Sequence, residues 1–166
     1  MKSVKRGKEG PPMLAIIVNF FALLLASLVV GAMFGVWLSF DPEGLQPAFY
    51  VALQQHGIAA LNVAMPRLGG VAALLTILAA WLARGDPTRL ALFAAAAVCV
   101  VAAGLITRFL NQPINAVVMT WSPESPPGDW MQLRDAWWRW HIVRTAIGVC
   151  GLGLLIAATL SRASAG

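Results

Sequence analysis

The sequence predicts an all-α fold: a four-helix transmembrane bundle with an extramembrane cap of helix and loop on the non-cytoplasmic side. Of its 166 residues, 59% are hydrophobic and 11% are charged, whereas a soluble domain is nearer half apolar and a quarter charged. The apolar residues form long uncharged blocks, separated by stretches rich in proline and polar residues. Such blocks are typical of helices that cross a membrane. We therefore expect residues 1–166 to form a single integral membrane domain.

The first span is predicted for residues 13–38, which contain no charged side chain. At 1.5 Å per residue, a helix of this length exceeds a hydrocarbon core of about 30 Å. Within it, Gly31 and Gly35 form a GxxxG pair, which allows close helix approach. Two interpretations stay open: a contact that makes a homo-oligomer, or incidental small residues in a glycine-rich chain.

The second and third spans are predicted for residues 68–83 and 90–109, joined by a tight polar turn at 84–89. The first part of the cap covers residues 41–67. It begins as a loop, and it continues as a partly apolar segment whose glutamines, histidine and asparagine suit a helix outside the bilayer or at its interface. Pro66 predicts a kink where this segment joins the second span.

The second part of the cap covers residues 110–139, and the fourth span covers 140–160. Four prolines between residues 110 and 128 predict an ordered loop over the bundle. The last helix should begin near Asp129, whose side chain is a suitable N-cap. The only two cysteines, Cys99 and Cys150, lie in apolar blocks and indicate neither a disulfide framework nor metal-type spacing.

The charged residues predict the orientation. The side that holds the termini and the 84–89 turn has seven basic and two acidic residues, and the other side has five of each. Positively charged loops favour the cytoplasm, so we expect an integral protein of a bacterial inner membrane with both termini cytoplasmic. The net charge of +5 does not indicate nucleic-acid binding, because the N-terminal cluster expected of this topology accounts for much of it: Lys2, Lys5, Arg6 and Lys8.

A stripe of chemically active side chains begins the last helix. Steps of four, three, four and three residues put its members on one helical face: Trp130, Arg134, Trp137, His141 and Arg144. Arg144 falls inside the apolar part of the helix, where a charge is costly and often marks a functional cavity.

Other polar side chains are expected at the same level of the membrane. They come from the end of the third span and from the segment that leads into the second span: Arg108, Asn111 and Asn115, and His56, Asn62 and Arg67. Together with the stripe they predict an outer-side polar pocket with many donors and few carboxylates. Such a pocket suits an oxygen-rich or anionic ligand such as a phenolate, a quinone or a carboxylate.

Some of these residues have a simpler interpretation. Four aromatic and basic side chains are expected to form an interfacial belt: Trp130, Trp138, Trp140 and Arg139. His56 and His141 provide an alternative as axial ligands of a haem between helices, but no CxxCH motif or metal-type spacing accompanies them. No cofactor and no metal are therefore predicted, and no nucleotide-binding or nucleophile-elbow motif is present.

The runs "RFLNQPINAVVMTW" and "WMQLRDAWWRWHIVRT" resemble the anthrone oxygenase-like family, a group of small four-helix membrane proteins largely described as a domain of unknown function. The resemblance covers about residues 14–160, and its second half is the specific part. The matching residues are Arg108, Asn111, Pro113, Asn115, Trp130, Arg134, Trp137, His141 and Arg144. The resemblance implies a monooxygenase that oxidises an anthrone to an anthraquinone with molecular oxygen, without a conventional cofactor.

We accordingly expect an oxygenase or oxidoreductase acting on a lipophilic phenolic or quinone-type molecule. Arg108 and Arg144 would stabilise a phenolate, and His141 would be the general base. Substrate-binding roles are expected for Asn111, Asn115, Trp137 and Arg134, with additional roles for His56, Asn62 and Arg67. The alternative is a non-enzymatic accessory subunit that binds a lipid or another small molecule.

Overall fold

The computed structural model describes residues 13–161, and these are almost entirely helical. The elements in chain order are α1 (Met13–Ser39), α2 (Pro47–Leu61), α3 (Ala64–Leu82), α4 (Pro87–Ile106), a π-helical turn (Thr107–Asn111), α5 (Gln112–Val118) and α6 (Trp130–Leu160). No strand occurs between residues 13 and 161. The N-terminal basic cluster and Arg162, which contribute to the predicted orientation, lie outside the described residues.

Four helical segments are long and apolar enough to cross a membrane: α1, α3, the continuous segment Pro87–Val118 and α6. Helix α1 packs on α3 and α6, and α4 packs on the same two helices. The bundle is therefore a ring in which neighbours along the chain are antiparallel and α1 lies diagonally across from α4. The predicted all-α bundle with four membrane-crossing helices is confirmed.

Small residues form much of the bundle core, including Ala22, Ala26 and Ala96 around Phe93 and Leu155. Lipid tails are as apolar as the helices, so close backbone approach, rather than burial from water, favours association. The closest approaches are on α6: a Cβ built on Gly151 would lie 2.8 Å from Cys99 Cβ, and one on Gly148 would lie 3.0 Å from Met33 Cε. Both cysteines are free thiols.

The predicted GxxxG pair does not contribute to this packing. No heavy atom among the described residues lies within 4 Å of a Cβ built on Gly31 or Gly35. The face that carries these glycines is exposed, and a homo-oligomer contact through it stays a prediction.

Helix α4 begins at Pro87, three residues before the predicted start, because Asp86 caps it. The carboxylate accepts from the backbone N–H groups of Thr88 and Arg89, both at 3.1 Å, and proline suits the first helical position. Asp129 occupies the N-cap position of α6, but its side chain makes no cap hydrogen bond.

The junction between α2 and α3 also differs from the prediction. The break lies at residues 62–63, and Pro66 falls in the first turn of α3. A missing backbone N–H is tolerated there, because first-turn donors have no partner within the helix. The predicted position of the kink, Pro66, is therefore wrong: the break lies three to four residues earlier in the chain.

The loop predicted from residue 110 is wrong for residues 110–118, because the third span continues as helix to Val118. Pro113 has no N–H to donate and its ring crowds the carbonyl one turn earlier. The preceding turn widens to accommodate it: the backbone N–H of Gln112 donates to the carbonyl of Thr107, five residues earlier. Such π-helical turns within α-helices are frequent at functional sites.

The cap covers the end of the bundle where α5 ends and α6 begins. Its apolar core joins α2 to the loop before it and to the loop between α5 and α6. The core residues are Tyr50, Val51, Trp130, Phe40, Leu45 and Trp121. The amide of Gln55 donates to the carbonyls of Val118 at 2.9 Å and Trp121 at 2.8 Å. Val118 is the last residue of α5 and Trp121 lies in the loop that follows, so these bonds hold α2 over the end of the third span.

Candidate functional site

The predicted stripe on the last helix faces the inside of the protein. Trp130, Arg134, Trp137 and His141 are all buried, and the same face continues through Thr145. Further along it carries Gly148, Gly151, Leu155 and Ala158. The polar beginning and the close-packed end of α6 therefore lie on one continuous face, so packing of the second half fixes the position of the first.

His141 is 1% exposed and both of its ring nitrogens are engaged. Nε2 lies 3.1 Å from the carbonyl oxygen of Met33 on α1, and Nδ1 lies 2.9 Å from Nη2 and 3.3 Å from Nε of Arg144. A guanidinium only donates, so Nδ1 is the acceptor and Nε2 carries the proton that is donated to Met33. The imidazole is therefore neutral, with its tautomer set by its two partners.

Arg144 is a half-buried cation whose hydrogen-bond partners are neutral. Besides His141, its Nη1 donates to Oγ1 of Thr107 at 3.1 Å, and its Cζ lies 5.9 Å from the centroid of the Trp137 ring. The only ion pair within residues 13–161 is elsewhere, between Arg134 and Asp135. A guanidinium inside an apolar segment without a carboxylate is suited to an anionic or oxyanionic ligand.

An aromatic stack covers the imidazole. The Trp137 ring is parallel to His141 within 1° at a centroid distance of 5.0 Å, and Trp138 lies 5.6 Å away at 16°. Phe40 contacts both tryptophans edge-on. Trp130 is buried against Tyr50 with ring centroids 5.3 Å apart, so the expected belt role is wrong for it. Trp138 is half-buried, and its belt role stays a prediction.

A chain of amides ties this stack to the other helices. The indole N–H of Trp137 donates to Oδ1 of Asn115 at 2.8 Å, and Nδ2 of Asn115 donates to Oδ1 of Asn62 at 2.9 Å. Gln112 adds a long bond of 3.5 Å to the Asn62 carbonyl. The chain therefore connects α6 and α5 to the junction between α2 and α3.

Asn111 ends the π-helical turn and is fully buried. Its Nδ2 donates to the Trp137 carbonyl at 3.0 Å, but its Oδ1 has no hydrogen-bond partner among the described residues. Leaving such an acceptor unsatisfied costs about 1–3 kcal/mol. A hydroxyl or water that donated to this oxygen would remove that cost. We use the term His141 network for the connected set His141, Arg144, Thr107, Trp137, Asn111, Asn115 and Asn62.

Arg134 is buried but supports the cap. Its Nε donates to Asp135 at 2.7 Å, its Nη1 donates to the Pro42 carbonyl at 3.5 Å, and its Cζ lies 5.0 Å from the Trp130 ring centroid. These contacts hold the loop after α1, and a substrate contact of Arg134 stays a prediction.

Besides Arg134, three predicted site residues lie outside the His141 network. Arg108 is exposed, and its guanidinium contacts the neighbouring Phe109 ring at 5.9 Å. The expectation that Arg108 joins Arg144 is wrong. His56 and Arg67 are exposed as well.

The histidines do not form the pair that a haem would need. His56 is exposed on α2, whereas both nitrogens of His141 already have partners. Residues 13–161 contain no group of three or more His, Cys, Asp or Glu side chains that could hold a metal ion.

Sequence reasoning missed three members of the site. Thr107 and Trp138 each neighbour a residue that was singled out, and the Met33 contact is a backbone carbonyl, which leaves no trace in the sequence. A threonine at the end of an apolar helix opposite a buried arginine was the available signal for Thr107.

Comparison with known proteins agrees with the geometry. The family model described as anthrone oxygenase matches residues 58–154, which is more than half of the chain and includes every side chain of the His141 network. Neither a curated protein nor a solved structure shows significant similarity to the chain. With the four membrane-crossing helices and the polar network between them, this match establishes that the chain belongs to the anthrone oxygenase family, a family of membrane oxygenase-like proteins.

Proposed function

We propose that the protein oxidises a lipophilic anthrone or a related phenol with molecular oxygen at the His141 network. One observation carries this proposal: inside an apolar bundle, the Arg144 cation has no carboxylate partner and donates to Nδ1 of a neutral imidazole. A cation beside a base is what is needed to form an enolate and hold its charge.

The first step is proton transfer. The substrate oxygen binds the Arg144 guanidinium and replaces His141 as its acceptor, which frees the Nδ1 lone pair. Nδ1 then takes a proton from the substrate CH₂ carbon, and the charge that develops on the oxygen is stabilised by Arg144. The bond from Nε2 to the Met33 carbonyl holds the ring in the required tautomer throughout.

The second step uses oxygen as the only oxidant. The carbanion gives its electron pair to O₂, a C–O bond forms, and the peroxide takes the proton back from His141. The remaining hydrogen on that carbon then leaves as a proton while the O–O bond breaks. At the reacting carbon the balance is CH₂ + O₂ → C=O + H₂O, with no external reductant.

The amide chain and the aromatic stack would position the substrate. Asn111 Oδ1 would accept a hydrogen bond from a ring hydroxyl, and the Trp137 and Trp138 rings would pack against the planar substrate. We further propose that this site lies on the non-cytoplasmic side of a bacterial inner membrane with both termini cytoplasmic, as the distribution of basic residues favours.

The test is oxygen consumption by the purified protein with a panel of anthrones and hydroquinones. With ¹⁸O₂ and an anthrone we expect one labelled atom in the product and one in water, whereas a hydroquinone has no CH₂ carbon at which this reaction could place a labelled atom. Arg144→Gln should lower kcat/KM by about 100-fold or more. The matched control is Arg139→Gln, an exposed arginine on the same helix that contacts the Trp140 ring, and it should stay near wild type. Equal turnover of the two variants would contradict the proposal.

A further inference from the structure

A groove lies at the opposite end of the bundle from the His141 network. It has a volume of about 300 Å³ and runs between the beginning of α1, the beginning of α4 and the end of α6. Its lining residues are Ile16, Asn19, Phe20, Leu23, Arg89 and Thr159. We call it the terminal groove. Only Arg89 of these residues falls within the family match.

Asn19 is the unexplained polar group in this groove. It lies in the first part of α1, surrounded in sequence by apolar residues, and is only 9% exposed. Its amide makes no hydrogen bond with any described residue. The amide lines the terminal groove, and a polar group in an apolar environment favours a ligand with polar atoms.

Arg89 provides a charge beside Asn19. Its Nε makes a long bond of 3.4 Å to the Ala158 carbonyl, and its Cζ lies 5.8 Å from the Phe93 ring centroid. Its two terminal nitrogens have no hydrogen-bond partner within residues 13–161. The guanidinium fork is therefore available for a phosphate or carboxylate.

The rest of the lining is apolar and open to the side. Ile16 is 49% exposed and Phe20 is 59% exposed, on the lateral surface that a membrane-crossing helix presents to lipid. Thr159 donates its hydroxyl to the Leu155 carbonyl at 2.8 Å, so it adds no free donor. Among the described residues, the lining of the terminal groove is thus apolar except for the Asn19 amide, the Arg89 guanidinium and the Thr159 hydroxyl.

The positions of Asn19 and Arg89 along the bundle match the depth at which a lipid headgroup lies. Asn19 lies six residues into α1, which is about 9 Å along the helix axis, and Arg89 lies in the first turn of α4. At the same end, Arg84 contacts the Trp81 ring at 4.1 Å, an arrangement typical of a membrane interface. The two groups therefore lie near the boundary between headgroups and hydrocarbon.

We propose that the terminal groove binds an anionic phospholipid. The phosphate binds the terminal nitrogens of Arg89, the Asn19 amide donates to a phosphate or ester oxygen, and an acyl chain lies along Ile16, Phe20 and Leu23. A free phosphate would leave this apolar part of the groove empty, and a lipid without net charge would leave Arg89 uncompensated.

The experiment is native mass spectrometry of the delipidated full-length protein in detergent. Phosphatidylglycerol, phosphatidylcholine or inorganic phosphate is added at matched concentration. We expect phosphatidylglycerol to be retained about tenfold better than phosphatidylcholine, the ratio expected from one charge-assisted contact, and inorganic phosphate not to displace it. Equal retention of the two lipids, or displacement by phosphate, overturns the proposal.

Variants locate the site. Arg89→Gln should lower phosphatidylglycerol retention to the level of phosphatidylcholine, and Asn19→Asp, which keeps the side-chain size but repels an anion, should lower it about tenfold. The matched control is Arg84→Gln, an exposed arginine at the same end of the bundle, which should retain the preference. Helix content and melting of each variant are measured alongside. If Arg84→Gln loses the preference as fully as both groove variants do, the terminal groove is not the site.

Discussion

Arg144 lies one helical turn beyond His141 on α6, and its guanidinium donates to Nδ1 of the imidazole at 2.9 Å. This contact determines which ring nitrogen can accept a proton. It also means that the base and the cation are coupled, because a ligand that binds the cation releases the base. Two variants at His141 separate these roles.

We predict that His141→Gln lowers kcat for anthrone oxidation by about 100-fold or more. Glutamine can still accept from Arg144 and donate to the Met33 carbonyl, so the helices should pack normally while the basic nitrogen is lost. His141→Ala should lose the same activity and also melt at a lower temperature. Turnover within about threefold of wild type in His141→Gln would make the imidazole a positioning residue and remove it from proton transfer.

The hydrogen bond between Trp137 and Asn115 is predicted to stabilise the bundle. Trp137→Phe keeps an aromatic ring over His141 but removes the indole N–H that donates to Asn115. The partly buried amide oxygen then loses this donor, which should cost about 1 kcal/mol. Thermal unfolding in detergent checks this. Unchanged stability in Trp137→Phe would mean that water replaces the indole at Asn115.

Gly151 is predicted to be the least replaceable glycine of the bundle. In Gly151→Ala the new methyl would lie 2.8 Å from Cys99 Cβ, and overpacking of this kind costs about 1–3 kcal/mol. Gly31→Ala and Gly35→Ala are matched controls, because the protein has open space around both. Their melting temperatures should equal wild type. A change of oligomeric state in these controls would support a homo-oligomer contact through the GxxxG pair.

Tyr50 provides an optical probe of the cap, because it is the only tyrosine in the chain. Burial raises the pKa of its phenol well above the ordinary value of 10.0; the nearby Arg134 lowers the pKa and Asp135 raises it. The pKa is higher in the folded state. The stability contributed by the neutral phenol is therefore fully present below pH 10 and is lost as the pH rises through the folded pKa.

Absorbance at 295 nm measures this ionisation directly. We expect no tyrosinate in the folded protein at about pH 11, and half-ionisation near pH 10 in denaturant. Tyr50→Phe is the control for the optical signal. It also removes a buried hydroxyl that has no partner among the described residues, so its stability should equal or exceed that of wild type. Normal titration of the folded protein would show that the cap admits water.

Helical spacing was sufficient to predict one half of the site. Steps of three and four residues correctly placed Trp137, His141 and Arg144 on a common face, because α6 is regular throughout. The same reasoning placed Asn111 towards α6 but failed for Arg108. These residues are three apart, but they lie in a π-helical turn, where the wider period directs Thr107 and Asn111 to α6 and leaves Arg108 exposed.

Proline explains the main error in the fold. The four prolines between residues 110 and 128 predict a loop, although a helix can pass a proline such as Pro113 if the turn before it widens. Whether it does so depends on tertiary contacts such as the bonds from Asn115 to Asn62 and Trp137. Contacts between residues far apart in sequence, like the one between Met33 and His141, have no local pattern from which they can be predicted.

In α6, His141 and Thr159 lie at the two ends of the apolar stretch. They are 18 residues apart, or about 27 Å along the axis, close to the hydrocarbon thickness of a bilayer. A bilayer of a different thickness can be accommodated by helix tilt or by local deformation of the lipid, each at a modest cost. This stretch is therefore long enough to cross a membrane while the His141 network lies near one of its boundaries.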